Sequence, residues 1–437
     1  MVIAASVAGC SKESRQQQKA CRAKGDPYVD RSDSVFFIDA VTIVAIFSCF
    51  GNAGPTEQRV QGCTEMPCTG SLQEVFCSGR ILNTAARYNQ TWYIGGSKLR
   101  YSPQKILQNY DENLPAEPSE EQVAEWFHAN FDNSSRGGLV DDKPTDWHPH
   151  PPAFEAITNK DLRLFSDFLH RRWRNLTRWF ITDVRDNPDL YSSIWVPHPF
   201  IVPNNALFNI YFYWDSYWII KGLLWSNLRE TTRGILLNFA SLIHRFGLIP
   251  NFGQITAVRR SQPPLFASMI AEYLSSSSGD GYNSTNIAEA SNNDSVDFKF
   301  VSDSLIPAVE KEMEFWFSNR SIVLDGGHRV YRYRSPVNCP RPERYFRDIE
   351  LAKQATAPKN SSFLYQSLTS ACESGWDFSS RWMRPVSNSS SEDDSGNSFD
   401  YATTQTINVA PVDLNAFMCR FVFDSIIKHS FFLTHSY

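Results

Sequence analysis

Apolar residues recur along most of this chain at three- and four-residue spacing, and that period constrains the fold more than any other feature. Between 160 and 181, Leu162, Phe165, Phe168, Leu169, Trp173, Leu176 and Phe180 trace one stripe of a helix. Ile235, Leu236, Phe239, Leu242 and Ile243 do the same over 230–246, and Gly247 after Phe246 supplies a stop. Asp303 is placed to cap a helix carrying Leu305, Val309, Met313 and Phe317, and Asp413 to open one carrying Phe417, Phe421 and Ile426. Each Phe-rich stripe is expected to face a core. Strand signals are few. The clearest, 322–324 and 330–333 around Asp325-Gly326-Gly327, predict one small hairpin. The fold class that follows is all-α, built of antiparallel helical hairpins with long loops at one end; periodicity leaves bundle, solenoid and toroid open.

Organisation along the chain points to secretion. Residues 1–33 read as a polar, disordered leader, and 34–54 as a signal peptide or signal anchor. The apolar run at 35–50 follows Lys12, Arg15, Lys19, Arg22, Lys24 and Arg31 and precedes Gly51, Ala53 and Gly54. Residues 55–76 form a cysteine-bearing linker, and 77–437 one domain in which the Ser/Asn-rich stretches 275–295 and 386–398 are solvated insertions. Cys63, Cys68 and Cys77 have no histidine nearby, which favours disulfides over zinc. Glycosylation signals at Asn89, Asn133, Asn175, Asn283, Asn293, Asn319, Asn360 and Asn388 agree with an extracellular or membrane-anchored glycoprotein. The 42 Lys+Arg nearly balance 47 Asp+Glu, which excludes the basic stripe of a general nucleic-acid binder. Phosphate-cradling glycine motifs and H-E-x-x-H are absent from the sequence.

Five short segments mix charge with aromatic rings. They are 214–218 (WDSYW), 249–251 with 260–264 (IPN and RSQPP), 341–343 (RPE), 373–382 (ESGWDFSSRW) and 411–416 (PVDLNA). Planar rings stack on the C–H face of a pyranose, while Asp, Asn, Gln and Arg satisfy its hydroxyls in fixed directions. Cleaving a glycosidic bond needs one carboxyl to protonate the leaving oxygen and a second to activate water or attack the sugar. Plainer roles compete for each residue. Asp215 and Asp413 suit helix caps, Arg341 and Glu343 a surface ion pair, Trp147 a loop plug, and Asp377 a structural carboxylate.

The same segments, in the same order, resemble the signatures of the trehalases, glycoside hydrolase family 37. The likeness runs from about Cys77 to Arg420 through Y-W-D-S-Y-W, R-S-Q-P-P, P-R-P-E, E-S-G-W-D-F-S-S-R-W and P-V-D-L-N-A. It implies an (α/α)6 toroid, incomplete at its C-terminal end, and cofactor-free, metal-free inverting hydrolysis of α,α-trehalose to two glucoses. Asp377 is then the general acid, and Trp214, Asp215, Asn251, Arg260, Gln262, Arg341, Glu343 and Gly375 line the sugar subsites. The family's catalytic base belongs to a segment beyond the position of Tyr437. The alternative reading is therefore a truncated homologue that binds sugar without turnover. Departures from the family pattern include Arg344 in place of Ser, Arg347 in place of an acid, and Phe252-Gly253-Gln254 in place of Gly-Gly-Arg.

Overall fold

In the computed structural model the chain divides into two units, Met1–Glu57 and Gln58–Tyr437. The structure describes residues 60, 62–276, 287–354, 361–386 and 398–434. The leader, the apolar run at 35–50, most of the stretch 386–398 and the signals at Asn283, Asn360 and Asn388 lie outside the described residues.

Within Gln58–Tyr437 the structure is mostly helical. The longer helices are α1 (Pro103–Asn113), α2 (Glu120–Asn130), α3 (Lys160–Leu176), α4 (Asp215–Trp225), α5 (Arg229–Phe246), α6 (Phe266–Ser275), α7 (Ile287–Ser304), α8 (Ile306–Asn319), α9 (Tyr345–Gln354), α10 (Ser361–Ser374) and α11 (Val412–Thr434). Their ends follow local chemistry. Ser119 and Gln122 form a reciprocal capping box on α2, and the Asn159 side chain accepts from the amides of Asp161 and Leu162 to start α3. Gly247 closes α5 in the left-handed region at φ 77°, as the sequence led us to expect. The predicted hairpin is present as β4 (Ser321–Val323) paired antiparallel with β5 (Arg329–Tyr331). Sequence reading missed a three-stranded sheet, β1 (Leu139–Asp141), β2 (Thr177–Phe180) and β3 (Phe200–Ile201), in which β2 is central. Its strands are too short to display an alternation.

Three expectations need correction. The stripe at 160–181 is not core along its length. Leu162, Phe165, Phe168 and Leu169 are exposed, whereas Trp173 and Leu176 pack against the main core and Phe180 is buried on β2 rather than on a helix. Buried His170 stacks on Trp147 and Arg163 donates to Phe154 O and Glu155 O, so α3 is docked there as well as at its C-terminal end. There Trp173 lies against Gly222 of α4 and donates its indole N–H to Ser226 Oγ at 3.0 Å. Second, Asp303 does not open a helix: α7 continues through Ser304, and Asp303 pairs with Lys299 within it. Third, 275–295 is not wholly an insertion, because α7 begins at Ile287.

The main core lies among α4, α5, α6, α8 and β2–β3, with Phe239, Phe266, Met269 and Leu242 at its centre. α4 and α5 form a helical hairpin across the short turn 226–228, and α6 packs on both. A second cluster gathers the N-terminal part of the unit around Phe76, Phe127 and Phe131. The third, built on Trp316, Tyr333, Trp382, Leu414 and Met418, supports the segment 373–382 from below.

Candidate active site

Four backbone segments meet where the polar-aromatic motifs lie. The entry to α4 supplies Tyr213 and Trp214, the connection 247–265 supplies Asn251 and Arg260–Gln262, the loop after β5 supplies Arg341 and Glu343, and the end of α10 supplies 373–377. Backbone and side-chain amides join them. Tyr213 N–H donates to Asn251 O at 3.2 Å, Asn251 N–H to Arg260 O at 2.9 Å, and Asn251 Nδ2 to Cys372 O at 3.2 Å. Trp214 N–H donates to Gln262 Oε1 at 3.0 Å. The Asn251 and Gln262 side chains thus fix the junction, and both are buried.

Charges at the junction are arranged in buried pairs. Glu373 is fully buried. It accepts from Arg320 Nε and Nη2 at 2.8 and 2.7 Å, from Ser261 N–H at 2.9 Å and from Arg334 N–H at 3.1 Å. Both its oxygens are satisfied, so it holds three segments together. Arg341 is equally committed: Nε and Nη2 form a fork to Asp348 at 2.9 and 2.7 Å, and Nη1 donates to Cys372 Sγ at 3.1 Å. Arg260 Nη2 meets Glu343 Oε1 at 2.6 Å. The expected surface pair of Arg341 with Glu343 is therefore replaced by two other pairs, one of them fully buried. Partial burial would raise the Glu343 carboxyl, but Arg260 and Arg341 hold it below its ordinary value. Burial works against the Arg260 charge, and Glu343, Cys372 and Asp377 together raise it.

Asp377 is treated differently. It is half-buried, lies close enough to Arg260 and Cys372 to influence both, and makes no hydrogen bond with any described residue. Trp376 and Phe378 on either side are 50% and 56% exposed, so two half-exposed rings stand beside an uncommitted carboxyl. Arg381 lies over both Trp376 and Trp382, 5.0 and 5.4 Å from the ring centroids, and pairs with Asp413 at 2.6 Å. Asp413 is thus an anchor for this segment as well as a first-turn residue of α11. Asp215 sits at the first position of α4, half-buried, with no capping hydrogen bond to a neighbouring amide and with burial raising its pKa. Gly375 has φ 73°, and the Trp214 indole occupies the space a Cβ would need.

Sequence reasoning missed Arg320, Asp348 and Cys372, which position these groups. It also missed Glu312 on α8, fully buried, which accepts from Tyr213 OH at 2.7 Å and is pushed up to about 8 by burial. A strap at 62–68 braces the site from outside. Cys63 is bonded to Cys339, Thr64 and Glu65 donate their N–H groups to Asn338 Oδ1 at 2.9 and 2.8 Å, and Arg259 donates to Met66 O at 2.9 Å. Cys68 is bonded to Cys77.

The family model described as Trehalase matches residues 90–431. Trehalase from Apis mellifera is 33% identical over 390 residues, covering 87% of this chain and 56% of that protein. Those from Dictyostelium discoideum and Homo sapiens are also 33% identical, covering 80% and 81% of this chain and 56% of each relative. The chain spans little more than half the length of the curated relatives it matches. Neutral trehalase Nth1 from Saccharomyces cerevisiae superposes on 55% of this chain, and 40% of its own, with a TM-score of 0.37 at 21% identity. That overlap is too loose to define the fold, which rests on the helices described above.

Proposed function

The chain belongs to the trehalase family, and on that premise we propose that it acts on α,α-trehalose, hydrolysing it with inversion to two glucoses. Asp377 is the general acid in this reading. The observation that carries it is the contrast within one segment: Glu373 is locked by four hydrogen bonds, while Asp377, four residues on, is free and flanked by half-exposed rings. A group that delivers a proton to a leaving oxygen must reach substrate without first breaking a structural bond. Glu373 and Glu343 do not suit the role of second carboxylate, because Arg320 and Arg260 occupy them. An inverting site also needs roughly 6.5–9.5 Å between its two carboxyls. Trp214, Asp215, Glu343 and Gly375 form the sugar-facing wall in this reading, and buried Asn251, Arg260, Gln262 and Arg341 support it from behind.

Glucose release from trehalose by the purified chain tests this. The expected result is turnover that Asp377→Asn lowers by about 10²–10⁴-fold, the usual contribution of a positioned acid. Equal release by both proteins, or none from either in folded form, overturns the assignment.

The same reading places the chain in the secretory pathway, secreted or anchored through 35–50. The disulfides Cys63–Cys339 and Cys68–Cys77 suit an oxidising compartment, and the signal asparagines Asn89, Asn133, Asn175 and Asn319 are exposed. Among the described residues no helix is long and apolar enough to cross a membrane.

A further inference from the structure

We propose that the rim beside Asp377 binds a phosphate group carried on the sugar, so that the chain takes a phosphorylated α,α-linked disaccharide in preference to the neutral one. The inference rests on the glycosidase reading above and adds a substrate class to it.

Two arginines, one at this rim and one three residues further on, are left without an ion pair among the described residues. Arg260 is occupied by Glu343, Arg320 by Glu373, Arg341 by Asp348 and Arg381 by Asp413. Arg344 and Arg347 are exposed and have no carboxylate partner among the described residues. The acids within helical reach of them are taken. Asp348, four residues after Arg344, holds Arg341 in a two-bonded fork, and Glu350, three residues after Arg347, holds Lys353 at 2.7 Å. Arg344 lies instead over Phe378, 5.1 Å from the ring centroid, and Phe378 directly follows Asp377.

That placement matters chemically. Stacking uses the face of a guanidinium and leaves the in-plane N–H groups free for a two-oxygen acceptor. Arg344 ends the short turn Pro342–Arg344 that runs straight into α9, and Arg347 is the third residue of that helix. The site's acids Asp377 and Asp215 also have no cation partner among the described residues. A sugar phosphate brings close to two negative charges at neutral pH and three acceptor oxygens, which matches two unpaired arginines. The family pattern has a serine and an acid at these two positions, so the surplus charge is this chain's own.

The test is to titrate the 437-residue chain with trehalose, trehalose 6-phosphate, glucose 6-phosphate and inorganic phosphate, following tryptophan fluorescence and calorimetry. The phosphorylated disaccharide is expected to bind about tenfold more tightly than trehalose at low salt. That ratio should shrink as salt is raised and fall toward one in an Arg344→Ser, Arg347→Glu variant, with Arg344→Lys intermediate. Equal affinity for the two disaccharides overturns the phosphate site and leaves the glycosidase reading standing. Binding of neither disaccharide removes both. Inorganic phosphate binding as tightly as the phosphorylated disaccharide overturns the proposal in favour of a plain anion patch.

Discussion

Glu373 and Asp377 stand four residues apart, and the fold assigns them opposite environments. Removing the Glu373 charge leaves Arg320 buried without its partner, so Glu373→Gln should cost about 3–5 kcal/mol of stability. Asp377→Asn breaks no hydrogen bond to the described residues and should change stability by no more than about 0.5 kcal/mol while affecting turnover. Paired denaturant melts of the two variants check both. Glu312 adds a pH signature. Burial raises its carboxyl from 4.5 to about 8, so between those values the folded chain keeps a proton that the unfolded chain has lost. Its contribution to stability is therefore greatest below pH 4.5 and is lost as pH rises to about 8. Melts across this window should show Glu312→Gln gaining on the parent as pH rises, with a constant difference on either side. The chemistry of 373–382 was legible because two carboxylates, a glycine and rings crowd one short segment. The partners Arg320 and Asp348 were not, since a buried ion pair between distant positions leaves no spacing to read.

At the scale of elements, two helices with the same kind of pattern met different fates. α5 buries its stripe as its period predicted. α3 shows an equally regular stripe, of which only Trp173 and Leu176 reach the main core, because period reports that a helix has an apolar face and says nothing of what lies opposite. The difference is measurable. Phe165→Ser or Phe168→Ser on α3 should alter stability by about 0.5 kcal/mol or less, against about 3–5 kcal/mol for Phe239→Ala on α5. Comparable losses at both helices would show that the face of α3 is covered in solution. The break between α7 and α8 at Leu305 was misread for a related reason: Asp303 has the right chemistry for a cap but lies two residues before the N-cap and is paired with Lys299.

For the molecule as a whole, the Cys63–Cys339 bond joins positions 276 residues apart and ties the strap to the loop that carries Arg341 and Glu343. Cysteine count alone could not reveal that pairing. A Cys63→Ser, Cys339→Ser chain should lose roughly 2–5 kcal/mol and, with the loop loosened, show a raised KM for trehalose. The uncovered row on α3 acts at this scale too, through the solvent rather than the chain. Sulfate strengthens the tendency of apolar surface to leave water, whereas ordinary ionic screening does not touch it. Ammonium sulfate should bring this protein out of solution early, sodium chloride of equal ionic strength should not, and a single Phe168→Lys replacement should move the precipitation point upward. The face that does least for folding would then decide how the protein behaves on a purification bench.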